Sequence, residues 1–273
     1  MKKIRHSAIA GSWYPGTEKQ LRKEINLMLD LTKPEEQIDD ILGLISPHAG
    51  YRYSGLTAAY GYNLVQNKKY EKAIVLAPSH REYFPGVSIY SGDAYETPLG
   101  LVKINNELKE RIIDSSEVIF QGDEGHNPEE HALEIQLPFL QVVLKDFEFV
   151  PMIIGDQRKE YVYEVGEKLG GLIDDKTLIV ASTDLSHFHP KPEAEKLDLI
   201  VTEKIGNFDY DGLQEALESN KTEACGGGTV VALMKAADAA GFKHSKILHK
   251  TDSGEVTGDT SGVVGYVSAV FYK

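Results

Sequence analysis

Four short apolar runs along the chain predict buried β-strands. They are rich in β-branched residues and nearly free of charge, which is typical of strands covered on both faces of a sheet. These runs span residues 41–46, 73–77, 147–154 and 177–182.

Apolar residues between and after these runs recur at helical spacing, as Leu21, Ile25 and Met28 do. We predict helices at residues 18–31, 55–66, 105–114, 128–144, 158–171, 193–206, 211–219 and 227–240. The alternation of strands and helices predicts an α/β fold, with a mostly parallel central sheet and helices on both faces.

Three further segments depart from this alternation. Residues 84–104 mix turn residues with short strand-like pieces, which predicts a hairpin insertion. We expect a polar loop at residues 251–262 and a final strand in the C-terminal residues 262–273. No internal repeat or interdomain linker stands out, so we predict one domain over residues 1–273.

Charge and composition exclude several classes of protein. The 42 acidic and 29 basic residues give a formal net charge of −13. Because such a surface repels phosphate backbones and anionic lipids, we expect no nucleic-acid and no membrane partner. A single cysteine cannot form an internal disulfide. The chain shows neither a signal-peptide core nor a membrane-spanning run, and we expect a cytoplasmic protein.

Histidines follow three of the four predicted strands directly. His48 comes after the first strand, His80 after the second and His187 after the fourth. Ligands bind beyond the carboxyl ends of the strands in open α/β sheets, so neighbouring strands would bring these histidines together. A single histidine in such a place is more often an ordinary loop residue, but the repetition favours a shared site.

Cys225 precedes three glycines and the predicted helix at 227–240. The start of a helix favours thiolate, and glycines let a ligand approach the backbone. The alternative is a small buried side chain in a glycine turn. Two imidazoles and one thiolate suit Fe, Cu or Zn, with an open position for water or substrate.

Other polar residues are candidates for acid–base chemistry. His131 and Glu134 are three residues apart and would share one face of the predicted helix, where His131 could transfer a proton or orient a ligand. A solvated helix face is the alternative. Asp184 and His187 lie on one loop and form a candidate acid–base pair.

Aromatic residues also crowd the expected site, which suits a ring-bearing or peptide ligand. Ordinary core or rim positions are the alternative for these residues, which are Trp13, Tyr14, Tyr51, Tyr53, Tyr83 and Phe84. Neither GxxxxGK[ST] nor a GxGxxG following a strand is present, so nucleotide-dependent chemistry has no support.

Seven segments, spread over nearly the whole chain, together resemble the Memo family. They are GSWYPG (11–16), SPHAGYRYSG (46–55), APSH (77–80), YETPLG (95–100), EEHALEIQLPFL (129–140), STDLSHF (182–188) and ACGGG (224–228). That family is similar in fold to the catalytic B subunit of class III extradiol dioxygenases, which are non-haem Fe(II) enzymes that open catechol rings.

The resemblance implies a metal site and a pocket. The implied metal ligands are His48, His80 and Cys225, with Asp184 and His187 beside them and with Trp13 and Tyr53 lining the pocket. Eukaryotic relatives are associated with signalling, phosphotyrosine-peptide binding and metal redox chemistry. Prokaryotic relatives are often grouped with a radical-SAM protein, which implies such proteins as partners.

One departure from the dioxygenases bears on activity. Their iron is held by two histidines and a carboxylate, whereas Cys225 stands at the third position here. A softer thiolate favours Cu or Zn as well as Fe, which argues against ring cleavage. The sequence leaves three hypotheses: a metal-dependent oxidoreductase with His187, Asp184 and His131 as catalytic candidates, a metal- or peptide-binding module without turnover, and a metal-free hydrolase with Cys225 as nucleophile.

Overall fold

Strands and helices alternate through most of the chain in the computed structural model, which describes residues 3–273. The strands are β1 (Ile4–Arg5), β2 (Ile41–Ser46), β3 (Lys72–Pro78), β4 (Val87–Tyr90), β5 (Ala94–Thr97), β6 (Gly100–Lys103), β7 (Ile119–Gly122), β8 (Glu148–Ile154), β9 (Thr177–Ser182), β10 (His187–His189), β11 (His244–Asp252) and β12 (Val263–Tyr272). The α-helices are α1 (Glu18–Leu31), α2 (Leu56–Val65), α3 (Asn106–Ile113), α4 (Leu137–Val143), α5 (Lys159–Gly170), α6 (Lys191–Gly206), α7 (Tyr210–Glu218), α8 (Gly227–Ala239) and α9 (Gly254–Thr257). A π-helical turn (Tyr51–Gly55) precedes α2, and a 3-10 turn (Glu134–Gln136) precedes α4.

The four predicted apolar runs form the parallel centre of a nine-stranded sheet, in the order β2-β9-β3-β8. Antiparallel strands flank this centre: β12 pairs with β2, and β4 pairs with β8. Beyond them, β10 and β11 pair with β12, and β7 runs parallel to β4. The predicted α/β class is confirmed, and the sheet is parallel at its centre and mixed at its edges.

Each central strand supplies side chains to two separate cores. In β3, Ala73, Val75 and Ala77 face the core that contains residues of α1, α2 and α4. Ile74 and Leu76 face the core built with α3, α5, α6, α7 and α8. Because successive strand residues point to opposite faces, an uncharged apolar run is what a strand between two helical layers requires.

The hairpin predicted within residues 84–104 is present as β5 and β6, which pair antiparallel. This hairpin forms a separate three-stranded sheet with β1, whereas β4 belongs to the main sheet. The predicted loop at 251–262 is only partly correct, since its first residues end β11 and α9 lies within it. The sequence patterns did not predict β1, β7, β10 or β11. His187, expected on a loop with Asp184, lies at the start of the short strand β10.

The helix predicted at residues 128–144 is wrong over its first half, because regular α-helix begins only at Leu137. The carboxylate of Glu130 accepts hydrogen bonds from the amides of His131 and Ala132, at 2.9 and 3.0 Å. These bonds hold the segment in a loop. Within the described residues, no helix is long and apolar enough to span a membrane.

Candidate metal centre

The carboxyl ends of three neighbouring strands bring the predicted histidines together. His48 follows β2, His80 follows β3, and Asp184 and His187 follow β9, which lies between the other two. The rings of His48 and His80 have centroids 5.1 Å apart. All four side chains line one cavity, as expected from their positions after the strands.

Three of the predicted ligands lie close enough to hold one ion. Donor atoms of His48, His80 and Cys225 all lie within 4.8 Å of one another. The Sγ atom of Cys225 is 2.9 Å from Nε2 of His48. Ligand atoms around a tetrahedral first-row metal are about 3.5 Å apart, so a small separation of this pair would admit the ion.

Hydrogen bonds fix which nitrogen of His48 can bind a metal. The hydroxyl of Ser182 donates its one proton to the carbonyl of Ala132, at 2.6 Å, and accepts a bond from Gln136. Nδ1 of His48, 3.0 Å from the same hydroxyl oxygen, must therefore donate. This leaves a lone pair on Nε2, which faces Cys225.

Glu130 fixes the orientation of the His80 ring in the same way. The sequence patterns did not identify Glu130 as part of the site. Its carboxylate lies 3.0 Å from Nδ1 of His80 and accepts the amide of that residue at 2.6 Å. Burial raises the pKa of Glu130, but its hydrogen bonds with His80 and the loop amides outweigh burial and lower the pKa to about 2. An ionised carboxylate on Nδ1–H leaves Nε2 of His80 free for a metal.

The glycines after Cys225 allow its turn to press against the sheet. A Cβ atom on Gly226 would lie 2.1 Å from the carbonyl oxygen of Ser182, so a side chain there is excluded. The amide of Asp184 donates to Sγ of Cys225 at 3.2 Å.

The expectation that the start of α8 favours a Cys225 thiolate is wrong. Burial and the nearby Asp184 raise the pKa of this thiol. The first amides of α8 do not reach the sulfur, because those of Gly227 and Gly228 donate to Ala224 and Gln157. A bound metal ion would be needed to remove the proton.

Asp184 and His187 both line the cavity, and Asp184 is also bonded to His48, one of the candidate metal ligands. Oδ1 of Asp184 accepts the amide of His48 at 2.8 Å, and Oδ2 lies 3.9 Å from Nε2 of His48. Burial raises the pKa of Asp184 to about 7. Burial lowers the pKa of His187, which is consistent with a neutral imidazole on the cavity wall.

His131 lies on the cavity wall, as predicted, although its loop is not helical. Its ring stacks on His80 with centroids 4.7 Å apart and packs against Trp13 at 4.3 Å. Burial lowers the pKa of His131 to about 4. Glu134 does not share a helical face with it, because its buried carboxylate is bonded to Arg5 and Tyr14.

The cavity has a volume of about 420 Å³ and is walled mainly by rings and other apolar groups. Of the six aromatic residues predicted at its mouth, Trp13 and Tyr53 line it, whereas Tyr14, Tyr51 and Phe84 are buried in the core. The sixth, Tyr83, is exposed outside the cavity, and its hydroxyl donates to Asp156. The remaining lining residues of the cavity, which sequence reasoning did not select, are Ser12, Ala49, Gly50, Phe188, Val264 and Tyr266. The last two come from β12, where their apolar pattern gave no sign of a site.

Comparison with known proteins agrees with the motifs. The family model described as "Memo-like protein" matches residues 5–270. The chain belongs to the Memo-like family. This Memo-like chain is 35% identical to a MEMO1 family protein of Thermoplasma volcanium, over 98% of both chains. It is 36% identical to a MEMO1 family protein of Nitrosopumilus maritimus, over 98% of this chain and 99% of the relative.

A solved structure supports the fold of this Memo-like chain. The crystal structure of an uncharacterised protein from Escherichia coli K12 superposes with a TM-score of 0.57. The match covers 84% of this chain and 99% of that protein, at 15% sequence identity. At that level of identity the match shows a shared fold only.

Proposed function

We propose that this Memo-like protein is a metal-dependent oxidoreductase, in which His48, His80 and Cys225 hold Fe or Cu beside the cavity. One observation carries the proposal. Separate hydrogen bonds fix both imidazoles so that their Nε2 lone pairs are free, and the thiol lies within bonding reach of the same point. Ligands oriented in this way by neighbouring acceptors are typical of metal sites.

A bound ion would supply a Lewis-acidic or redox-active centre beside the cavity. The protein's own residues would then bind the substrate and move protons. Asp184, whose pKa burial raises, and His187, whose pKa burial lowers, both face the cavity and would be the groups that move protons. The rings of Trp13 and Tyr53 would pack against a small ligand and exclude water.

Elemental analysis of protein purified anaerobically without chelator tests the metal site. We expect about one equivalent of Fe, Cu or Zn in the wild type and a loss of metal in Cys225→Ser. His244→Ala is a matched control, because His244 is exposed and outside the cavity. A wild-type protein free of metal, which takes up none when supplied, would contradict the proposal.

Turnover needs a separate test. Oxygen consumption by the protein loaded with Fe or Cu should be screened with small aromatic molecules, because the cavity is walled by rings. We expect consumption with at least one class of substrate and none after Cys225→Ser. Metal binding without oxidation of any substrate would favour the second candidate, a binding module.

The binding module is supported by the aromatic rim of the cavity. Phe188, Tyr53 and Trp13 are 78%, 38% and 37% exposed, respectively, and rings in this position suit a peptide or protein ligand. Partner affinity that survives removal of the metal would favour this function.

The hydrolase hypothesis is weakened because burial raises the pKa of Cys225 and lowers that of His48, so both resist forming an ion pair. Labelling of Cys225 by an acyl probe in metal-free protein would support the hydrolase hypothesis.

A further inference from the structure

A single glutamine side chain spans the turn that carries Cys225. Gln157 lies between β8 and α5, far from the Cys225 turn in sequence. Its Nε2 donates to the carbonyl oxygen of Cys225 at 2.7 Å, and its Oε1 accepts the amide of Gly228, also at 2.7 Å. One side-chain amide therefore ties both ends of the turn to the end of the central sheet.

The sequence of the turn is adapted to this contact. A Cβ atom on Gly228 would lie 2.7 Å from Cβ of Gln157 and 2.9 Å from its Oε1. A side chain at position 228 would therefore push the glutamine away. The third glycine after the cysteine is thus needed for the approach of Gln157, whereas the first glycine, Gly226, is needed against the sheet.

Gln157 is itself held in place from the opposite side. Nε2 of Gln214, a buried residue of α7, donates to the carbonyl oxygen of Gln157 at 3.0 Å. The same nitrogen donates to Glu218 at 2.8 Å, which fixes the orientation of the amide. The chain of contacts runs from α7 through Gln157 to the backbone of Cys225.

We propose that Gln157 is a positioning residue, which holds the Sγ atom of Cys225 at bonding distance from His48. Its effect on metal affinity rests on the proposed function. Its effect on the thiol does not, because the hydrogen bonds are made by the chain itself. The side-chain amide of glutamine carries donor and acceptor groups on one plane, so Gln157 makes both bonds at once.

The test compares Gln157→Met, which keeps the length but loses both bonds, with Gln157→Glu, which keeps only the acceptor. Gln141→Met is the matched control, because Gln141 bonds to Gly100 and Thr97 away from the cavity. Cys225 is the sole cysteine, so a thiol reagent reports on it alone. In metal-stripped protein we expect the reagent to react about tenfold faster with Gln157→Met, as suits the loss of two hydrogen bonds. Gln157→Glu should fall between this variant and the wild type.

Zinc affinity, measured by competition with a chelator, gives the second readout. We expect binding to weaken about 10- to 100-fold in Gln157→Met, as is typical when a group that orients a ligand is lost. In the cobalt-loaded protein, the thiolate charge-transfer band should shift in Gln157→Met and stay unchanged in Gln141→Met.

The outcomes separate the two proposals. A thiol rate and a cobalt band equal to those of the wild type, even with a lower melting temperature, would overturn the role of Gln157. A wild type that binds no metal would overturn the proposed function, while the thiol rates would still decide the role of Gln157. If Gln157→Met fails to fold, the same comparison is made with Gln157→Glu.

Discussion

Phe188 has a strained backbone at the rim of the cavity. Its φ is +61°, a left-handed value that bulky residues rarely adopt, and its side chain is exposed. The carboxylate of Glu223 accepts the amide of His187 at 2.8 Å and lies 2.9 Å from Nε2 of His189. These contacts on both sides hold Phe188 in place, and strain maintained in this way is typical of residues that serve a ligand.

Glycine at position 188 should give a more stable protein than alanine there, while both variants lose one wall of the cavity. Glycine relieves the strain, so we expect the free energy of unfolding to rise by up to about 1 kcal/mol relative to Phe188→Ala. Urea denaturation of both variants measures the difference, and comparison with alanine removes the effect of losing the ring. Equal stabilities would show that the backbone at this position is not strained.

At the scale of secondary structure, the segment 128–136 shows why periodicity failed. The spacing of apolar residues predicts a helix, but it takes no account of acidic side chains that bond to backbone amides. Glu130 bonds to the amides of its own loop, and Glu134 bonds to those of Ala8 and Ile9. Glu130 and Glu134 bond to amides that are either distant in sequence or part of an irregular loop. The spacing of apolar residues cannot predict such contacts.

Glu134 fastens the N-terminal segment to this loop, and its loss should be costly. Its fully buried carboxylate pairs with Arg5 at 2.7 Å and also accepts the hydroxyls of Ser7 and Tyr14. Glu134→Gln would leave the buried guanidinium without its counter-charge, so we expect a loss of about 3 kcal/mol in unfolding free energy. The exposed neighbour Glu129→Gln is the control in chemical denaturation. A loss no larger than that of the control would refute this role.

For the whole molecule, the sequence predicted the centre of the sheet and the edge where the site lies. Buried strands can be recognised in the sequence as uncharged apolar runs. Residues that directly follow parallel strands meet at one edge of the sheet. Cys225 lies 177 residues from His48 in the sequence. It was still predicted as a site residue, because it is the sole thiol and precedes three glycines. Glu130 and Gln157 were missed, because their contacts depend on how loops fold over that edge.

Acid should destabilise the whole fold through His126. Burial lowers the pKa of His126 to about 3, whereas its unfolded value is near 6.5. The unfolded state therefore binds a proton first, so stability is full above pH 6.5 and falls as the pH drops towards 3. We expect His126→Gln to lessen the decline in unfolding free energy between pH 7 and pH 5. A decline as steep as in the wild type would contradict this, with exposed His6→Gln as the control.

Binding of one metal ion by His48, His80 and Cys225 can be measured by titrating metal-stripped protein with cobalt. Because Cys225 is the sole thiol, a thiolate charge-transfer band in the near ultraviolet reports on this site alone. We expect a band that saturates at about one equivalent of cobalt and is absent from Cys225→Ser. A wild-type protein that binds cobalt without a thiolate band, or binds none, would contradict metal binding at this site.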